Sequence, residues 1–128
     1  MIIHGKSIVP GKVKGKVIVS DLPISFLGDV DPINGIIVAE GHPLKGTSIK
    51  NRIFAFPCGK GSTVGSYIIY QLKKNNVAPK AIVNETAEAI VAVGAIISEI
   101  PMISNINIKD LTHNSFVKID AEKAIIEF

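Results

Sequence analysis

Residues 59–62 read Gly-Lys-Gly-Ser and lie between two segments of opposite periodicity. The apolar residues 53–56 predict a strand, and residues 63–74 carry apolar side chains at helical spacing. Backbone N–H groups of a glycine turn and the positive end of a helix would converge here, so the segment predicts an anion site. Ser62 stands at the expected N-cap position, where its hydroxyl could also act as a nucleophile or a base.

An ordinary tight turn between strand and helix, capped by Ser62, explains the same pattern equally well. The spacing of a P-loop is absent, and so is the third glycine of a dinucleotide-binding fingerprint. The histidines His4, His42 and His113 stand in no triad motif, and Val64 breaks the Gly-x-Ser-x-Gly pattern of a nucleophile elbow. From the residues alone, an anion site and a capped turn both remain open.

Three further residues could take part in chemistry, although each has a simpler role. Cys58 adjoins the glycine turn, but a free cysteine is most often a small buried residue. His42 lies in a polar loop and is expected on the surface. Glu85 follows an apolar strand, where we expect its carboxylate to favour the dipole of the next helix. Sites of α/β proteins nevertheless collect at the carboxyl ends of strands.

The predicted elements indicate a mixed α/β, or α+β, fold in one domain spanning residues 1–128. A central β–α–β–α–β unit is expected beside an antiparallel β layer. The predicted strands are residues 2–9, 13–20, 35–39, 53–56, 81–83, 101–104, 116–120 and 124–128, and the predicted helices are residues 63–74 and 86–98. The first two strands are expected as a hairpin or as consecutive strands. Residues 35–39 are entirely apolar, which predicts a strand buried on both faces.

The composition excludes several classes of protein. Of the 128 residues 47% are hydrophobic, which excludes a disordered chain. The net charge of +3 comes from scattered lysines without interleaved aromatics, so we expect no nucleic-acid partner. The single cysteine can neither form an internal disulfide nor hold a metal alone, and it predicts a reducing compartment. Without a signal peptide or a run long enough to span a bilayer, we expect a soluble, cytoplasmic protein.

Longer blocks of sequence resemble the small swivel domain of the aconitase X family. They are residues 57–63 (Pro-Cys-Gly-Lys-Gly-Ser-Thr), residues 79–85, residues 92–103 and the tripeptide His-Pro-Leu at residues 42–44. The resemblance covers essentially the whole chain. It implies a swivelling β/β/α fold, as in the aconitase swivel domain.

The resemblance also implies a function. The chain would be a hydro-lyase subunit, active only with a large subunit that carries a 4Fe–4S cluster on its own cysteines. Together the two would dehydrate (R)-5-phosphomevalonate to trans-anhydromevalonate 5-phosphate in the archaeal mevalonate pathway. The family's catalytic serine carries over onto Ser62 as the proton acceptor. We expect residues around it to bind the substrate: Gly59, Lys60, Gly61 and Thr63.

The chain departs from the Gly-Ser-Ser-Arg-Glu motif of ordinary aconitases, because Val64 and Gly65 replace the arginine and the glutamate. The group that binds the substrate carboxylate must then come from elsewhere. Two alternatives stay open: a non-catalytic module that binds a phosphorylated ligand, and a dehydratase of another hydroxy acid such as a hydroxyproline. A phosphate-carrying swivel domain would need a histidine in the turn, and the turn has none. Residues 41–46 are the expected rim of the interface with the large subunit.

Overall fold

Strand β3 (Lys12–Val19) joins the two halves of an eight-stranded sheet. The computed structural model describes residues 1–128. The first part of β3 pairs antiparallel with β7 (Phe116–Asp120), and its end pairs in parallel with β4 (Ile53–Phe56). The strand order is β1-β8-β7-β3-β4-β5-β6-β2, where β1 is Ile2–His4, β2 Lys6–Val9, β5 Ala81–Asn84, β6 Met102–Ser104 and β8 Ile125–Glu127.

The predicted β–α–β–α–β unit is confirmed. Strands β4, β5 and β6 are parallel, and they are joined by helices α2 (Gly65–Lys74) and α3 (Ala89–Ser98). Every residue of β4 and β5 is buried, as expected for parallel strands that are covered on both faces. Two short elements complete the chain, the kinked turn α1 (Phe26–Asp29) and a 3-10 turn at Ile108–Asp110.

Alternate residues of β4 point into two separate cores. Phe54 and Phe56 belong to the core that also contains Ile69 of α2, whereas Ile53 packs in a second core with Val117 of β7. The parallel strands are therefore sandwiched between the helices and the antiparallel half of the sheet. This β/β/α layering confirms the predicted mixed fold class.

Both long helices begin later than the sequence predicts. Helix α2 begins at Gly65 instead of residue 63, because Ser62 and Thr63 form a turn in which the Ser62 carbonyl accepts a bond from the Gly65 N–H (2.9 Å). Helix α3 begins at Ala89 instead of residue 86, because the carboxylate of Glu88 caps its first turn. The C-terminal ends of both helices, Lys74 and Ser98, coincide with the predicted ends.

The prediction of a doubly buried strand at residues 35–39 is wrong. Ile37 is buried but Val38 is exposed, and the segment forms only isolated bridges with nearby loop residues. The run packs on one side of a loop region and does not enter the sheet. The hairpin suggested for residues 2–9 and 13–20 does not form. Residues 2–9 divide into β1, which pairs with β8, and β2, which pairs with β6 at the opposite edge of the sheet, whereas β3 pairs with β7 and β4. The two segments are therefore consecutive strands without a shared ladder. The predicted strands at residues 116–120 and 124–128 pair as the antiparallel hairpin of β7 and β8.

Candidate functional site

The glycine turn follows β4, and its first residues continue the sheet for a short distance. Gly59 forms a parallel bridge with Ile24. The Ile24 N–H donates to the Cys58 carbonyl (3.1 Å), and the Lys60 N–H donates to the Ile24 carbonyl (3.0 Å). Gly61 then has a φ of 90°, a conformation that favours glycine, and it turns the chain toward α2. Residues 58–60 are thus held in place from one side while the following residues face solvent.

Ser62 lies at the exposed tip of this turn and is not the N-cap of α2. Its Oγ accepts a bond from the Val64 N–H (3.2 Å), and the N-cap position falls to Val64, which has no side-chain cap bond. The backbone N–H groups of Gly61, Ser62 and Thr63 donate no hydrogen bond within the chain. Three consecutive backbone donors without a partner in the chain therefore precede the first turn of α2, and such donors at the start of a helix are typical of an anion site.

The loop after β5 is fastened to the glycine turn through one carbonyl group. The carbonyl oxygen of Pro57 accepts bonds from the N–H groups of Glu85 (3.0 Å) and Thr86 (3.1 Å). The expectation that Glu85 serves the dipole of α3 is wrong, since its Oε2 accepts a bond from the Ile108 N–H (3.3 Å). Glu88 takes that role, with bonds from the N–H groups of Ile90 (2.8 Å) and Val91 (3.3 Å).

Asn84, which the sequence reasoning passed over, holds the end of β4. Its side chain is fully buried, and Nδ2 donates to the carbonyls of Phe56 (2.9 Å) and Val83 (3.0 Å). Its Oδ1 is buried without a hydrogen-bond partner. Phe56 is the last residue before the turn, so Asn84 orients the backbone from which the turn departs. The sequence feature that could have identified Asn84 is an asparagine at the end of an otherwise apolar strand.

His42 is buried, with only 9% of its surface exposed, so the expectation of a surface histidine is wrong. Its Nε2 lies 3.1 Å from the Oγ of Ser20, the residue that follows β3. His42 and Lys60 line the same cleft, which has a volume of about 200 Å³. The loop of residues 41–46 therefore adjoins the glycine turn, and its place at the rim of an interface with a large subunit stays a prediction. Cys58 is only half-buried.

A larger cleft of about 710 Å³ lies at the opposite end of the parallel strands. Four lysines from distant parts of the sequence line it, against one glutamate: Lys14, Lys50, Lys73, Lys80 and Glu99. Because its lining includes residues that precede β4, β5 and β6, this cleft lies at the amino ends of the strands. Sites of α/β proteins form at the carboxyl ends, so the Ser62 turn remains the candidate site despite its smaller cleft.

Neither a metal centre nor a membrane span is evident in the chain. No group of three or more histidine, cysteine, aspartate or glutamate side chains is placed to hold a metal ion. None of the helices combines the length and the apolar character that crossing a membrane requires.

Known proteins share this sequence and fold over nearly the whole chain. The family model described as "Aconitase X swivel domain" matches residues 2–128. The "Phosphomevalonate dehydratase small subunit" of Thermococcus kodakarensis is 52% identical, with 99% of this chain and 96% of the relative covered. The protein of the same name from Methanosarcina acetivorans is 49% identical, covering 98% and 89%.

A solved structure agrees with these matches. The crystal structure of Thermococcus kodakaraensis aconitase X in its holo-form superposes with a TM-score of 0.98, at 51% identity, covering 99% of this chain and 97% of that one. A structure of a UPF0107 protein in solution superposes with a TM-score of 0.91 at 39% identity, covering 100% and 98%. Together the match of the family model, the relatives and the fold show that this chain belongs to the aconitase X swivel domain family.

Proposed function

We propose that this chain is the small subunit of a phosphomevalonate dehydratase and that Ser62 is the proton acceptor of the reaction. The observation that carries the proposal is the agreement, at about 50% identity over nearly full length, with archaeal proteins of that name. The geometry of the turn supports it, because Ser62 presents an exposed hydroxyl beside free backbone donors at the carboxyl end of a parallel strand. The reaction would convert (R)-5-phosphomevalonate to trans-anhydromevalonate 5-phosphate.

Elimination of water from a hydroxy acid requires a base on one carbon and an acid at the departing hydroxyl. Ser62, in its alkoxide form, would take the proton from the carbon next to the carboxylate and become a neutral hydroxyl, while the substrate hydroxyl departs at the acid group. The free N–H groups of Gly61, Ser62 and Thr63 would stabilise negative charge that develops beside it. Lys60 is exposed on the same turn and forms no ion pair, so it can attract an anionic substrate.

An iron–sulfur cluster, which the family relationship suggests, does not fit the residues of this chain. Cys58 is its one cysteine, whereas clusters are typically held by several cysteine thiolates. No other group of candidate ligands is placed to hold a metal. We therefore assign any such cluster, and the removal of the hydroxyl, to the large subunit that the term "small subunit" in the relatives' names implies.

Exposed apolar side chains near the turn provide a surface for that large subunit. Val64 directly follows the turn and is 48% exposed, and Leu22 lines the cleft that Lys60 shares. Leu27 is exposed next to Ser25, which lies against Gly61. Apolar residues beside a polar site are typical of protein interfaces. We propose that the large subunit covers this surface, with residues 41–46 at its rim, and closes the site against water.

Replacement of Ser62 by alanine in the reconstituted two-subunit complex tests the proposal. Turnover of phosphomevalonate should fall roughly 10²–10⁴-fold, as is typical when an acid–base group is lost. Ser48→Ala is the matched control, because the Ser48 Oγ accepts an equivalent bond from the Lys50 N–H, also at 3.2 Å. Both variants should lose the same small amount of stability, about 0.5–1.5 kcal/mol, and both should assemble with the large subunit.

The outcomes separate the alternatives. Near-normal turnover of the Ser62→Ala complex would reduce Ser62 to a structural residue. A wild-type complex that dehydrates another hydroxy acid but not phosphomevalonate would place the chain in a different branch of the family. A chain that binds phosphorylated ligands and yields no dehydration in any complex would be a binding module.

A further inference from the structure

We propose that His42 is a positioning residue, which in its neutral form, with the proton on Nε2, ties the loop of residues 39–46 to the end of β3. By doing so it sets the wall of the cleft that Lys60 shares. The effect that we expect on substrate turnover rests on the proposed function, whereas the expected tautomer of His42 does not.

The hydrogen bonds determine which ring nitrogen of His42 carries the proton. The Leu44 N–H donates to Nδ1 (3.0 Å), so Nδ1 must be the unprotonated acceptor. A neutral ring then carries its proton on Nε2, which lies 3.1 Å from the Ser20 Oγ and donates to it. The Ser20 hydroxyl in turn donates to the Leu22 carbonyl (2.8 Å) and accepts from the Leu22 N–H (3.1 Å). Both ring nitrogens and the hydroxyl are thus fully used.

This chain of bonds joins the loop to the sheet. The Ser20 N–H donates to the Ala55 carbonyl in β4 (2.9 Å), so Ser20 is fixed to the parallel strands. The loop closes around His42 through bonds from the His42 N–H to the Ala39 carbonyl (3.2 Å) and from the Lys45 N–H to the His42 carbonyl (3.0 Å). Gly41 and Pro43 on either side are exposed, whereas the ring between them is buried. The imidazole is therefore an anchor that points inward from an exposed loop.

The charges around the ring leave Lys60 as the free cation of the cleft. Asp29 also lines the cleft, and its carboxylate accepts a bond from the Ser25 N–H (2.8 Å). Glu40 lines it as well and pairs with Lys45. Asp21 lies between Ser20 and Leu22 and is exposed. A wall held by His42 would keep the space beside Lys60 open. We assign this space to an anionic group of the substrate.

Two substitutions of His42 each keep one of the two hydrogen bonds of the ring and remove the other. In His42→Gln the amide nitrogen can stand where Nε2 stands and keep the bond to Ser20. In His42→Asn the side-chain oxygen can stand near the place of Nδ1 and keep the bond from Leu44, but the side chain is too short to reach Ser20. Ser20→Ala removes the same link from the other side. In the two-subunit complex, His42→Asn and Ser20→Ala should each raise KM for phosphomevalonate about tenfold, with a smaller change in kcat. His42→Gln should stay within about threefold of wild type.

Nuclear magnetic resonance on the isolated full chain supplies the structural readout. The ¹⁵N shifts of His42 should show the Nε2–H tautomer, and the Leu44 amide signal should show a hydrogen bond to Nδ1. Equal KM values for His42→Asn and His42→Gln would overturn the proposal, as would a proton on Nδ1 in the neutral ring. If no complex turns over phosphomevalonate, the proposed function fails, while the tautomer and the Leu44 signal still decide the role of His42.

Discussion

Gly61 and Ser25 are packed so closely that no side chain fits at Gly61. A Cβ built on Gly61 would overlap the Ser25 Oγ and would lie 3.1 Å from the Ser25 Cβ. Ser25 is itself fixed, because its N–H donates to Asp29 (2.8 Å) and its hydroxyl donates to the Leu27 carbonyl (2.9 Å). The turn that presents Ser62 is thus shaped by a contact as well as by the positive φ of Gly61.

We expect Gly61→Ala to damage the site more than the backbone conformation alone explains. Gly46 is the matched control, since it has the same φ of 90° and open space around the position of a Cβ. Gly46→Ala should cost only the strain of a positive φ, about 1 kcal/mol of unfolding free energy. Gly61→Ala should cost that amount and also the displacement of Ser25. Denaturant unfolding of the isolated chain measures both losses of stability, and equal losses for the two variants would contradict the packing argument.

Lys60→Ala should weaken substrate binding without stopping the reaction. The lysine adds charge to a site whose main donors are backbone groups, so KM should rise about tenfold while kcat changes little. Raising the ionic strength should reduce the difference in KM between Lys60→Ala and wild type, because salt screens exposed charges. Lys123→Ala, in the turn between β7 and β8, is the control of equal charge and should leave KM unchanged. A collapse of kcat in Lys60→Ala would instead give the lysine a part in the chemistry.

Glu88→Ala should lower the stability of the chain by about 1 kcal/mol, with a range of 0.5–2, because it removes the N-cap of α3. The midpoint of urea unfolding is the measurement. Glu122→Ala removes an exposed carboxylate that forms no side-chain hydrogen bond, and it should leave the midpoint within error. If the two variants unfold at the same urea concentration, the cap contributes nothing and α3 is stabilised by its packing alone.

Val64→Asp should reduce affinity for the large subunit at least about tenfold if the surface around Ser62 is the interface. Phe116→Asp is the control, because Phe116 is 57% exposed, close to the 48% of Val64, but lies on the antiparallel half of the sheet. Sedimentation or calorimetry with the purified large subunit measures both affinities. The opposite order of effects would place the partner on the other side of the molecule.

Hydrogen exchange tests the same interface without a substitution. Adding the large subunit should protect residues 41–46 and 57–63 more than residues 116–128. Protection centred on the terminal hairpin would leave Ser62 without its proposed role.

The local features of the site could be predicted because they depend on near neighbours. A strand, two glycines and a helix in succession indicated the turn at residues 57–62. Even so, the N-cap was misplaced. A serine before a helix can cap the helix or can form a separate turn. Here Gly61 adopts a positive φ, and Ser62 forms the turn.

The sequence by itself determined the alternation of strands and helices, the presence of the glycine turn and the membership of a family. Periodicity and turn chemistry act between residues a few positions apart, so they can be read along the chain. Only the tertiary structure decided that His42 meets Ser20, that Ser25 closes on Gly61, and that four scattered lysines line one cleft. His42 and Ser20, and likewise Ser25 and Gly61, are more than 20 residues apart, and the lysines come from three separate parts of the chain. Their meeting depends on the order of strands in the sheet and on the packing of its two cores. No local propensity encodes that order.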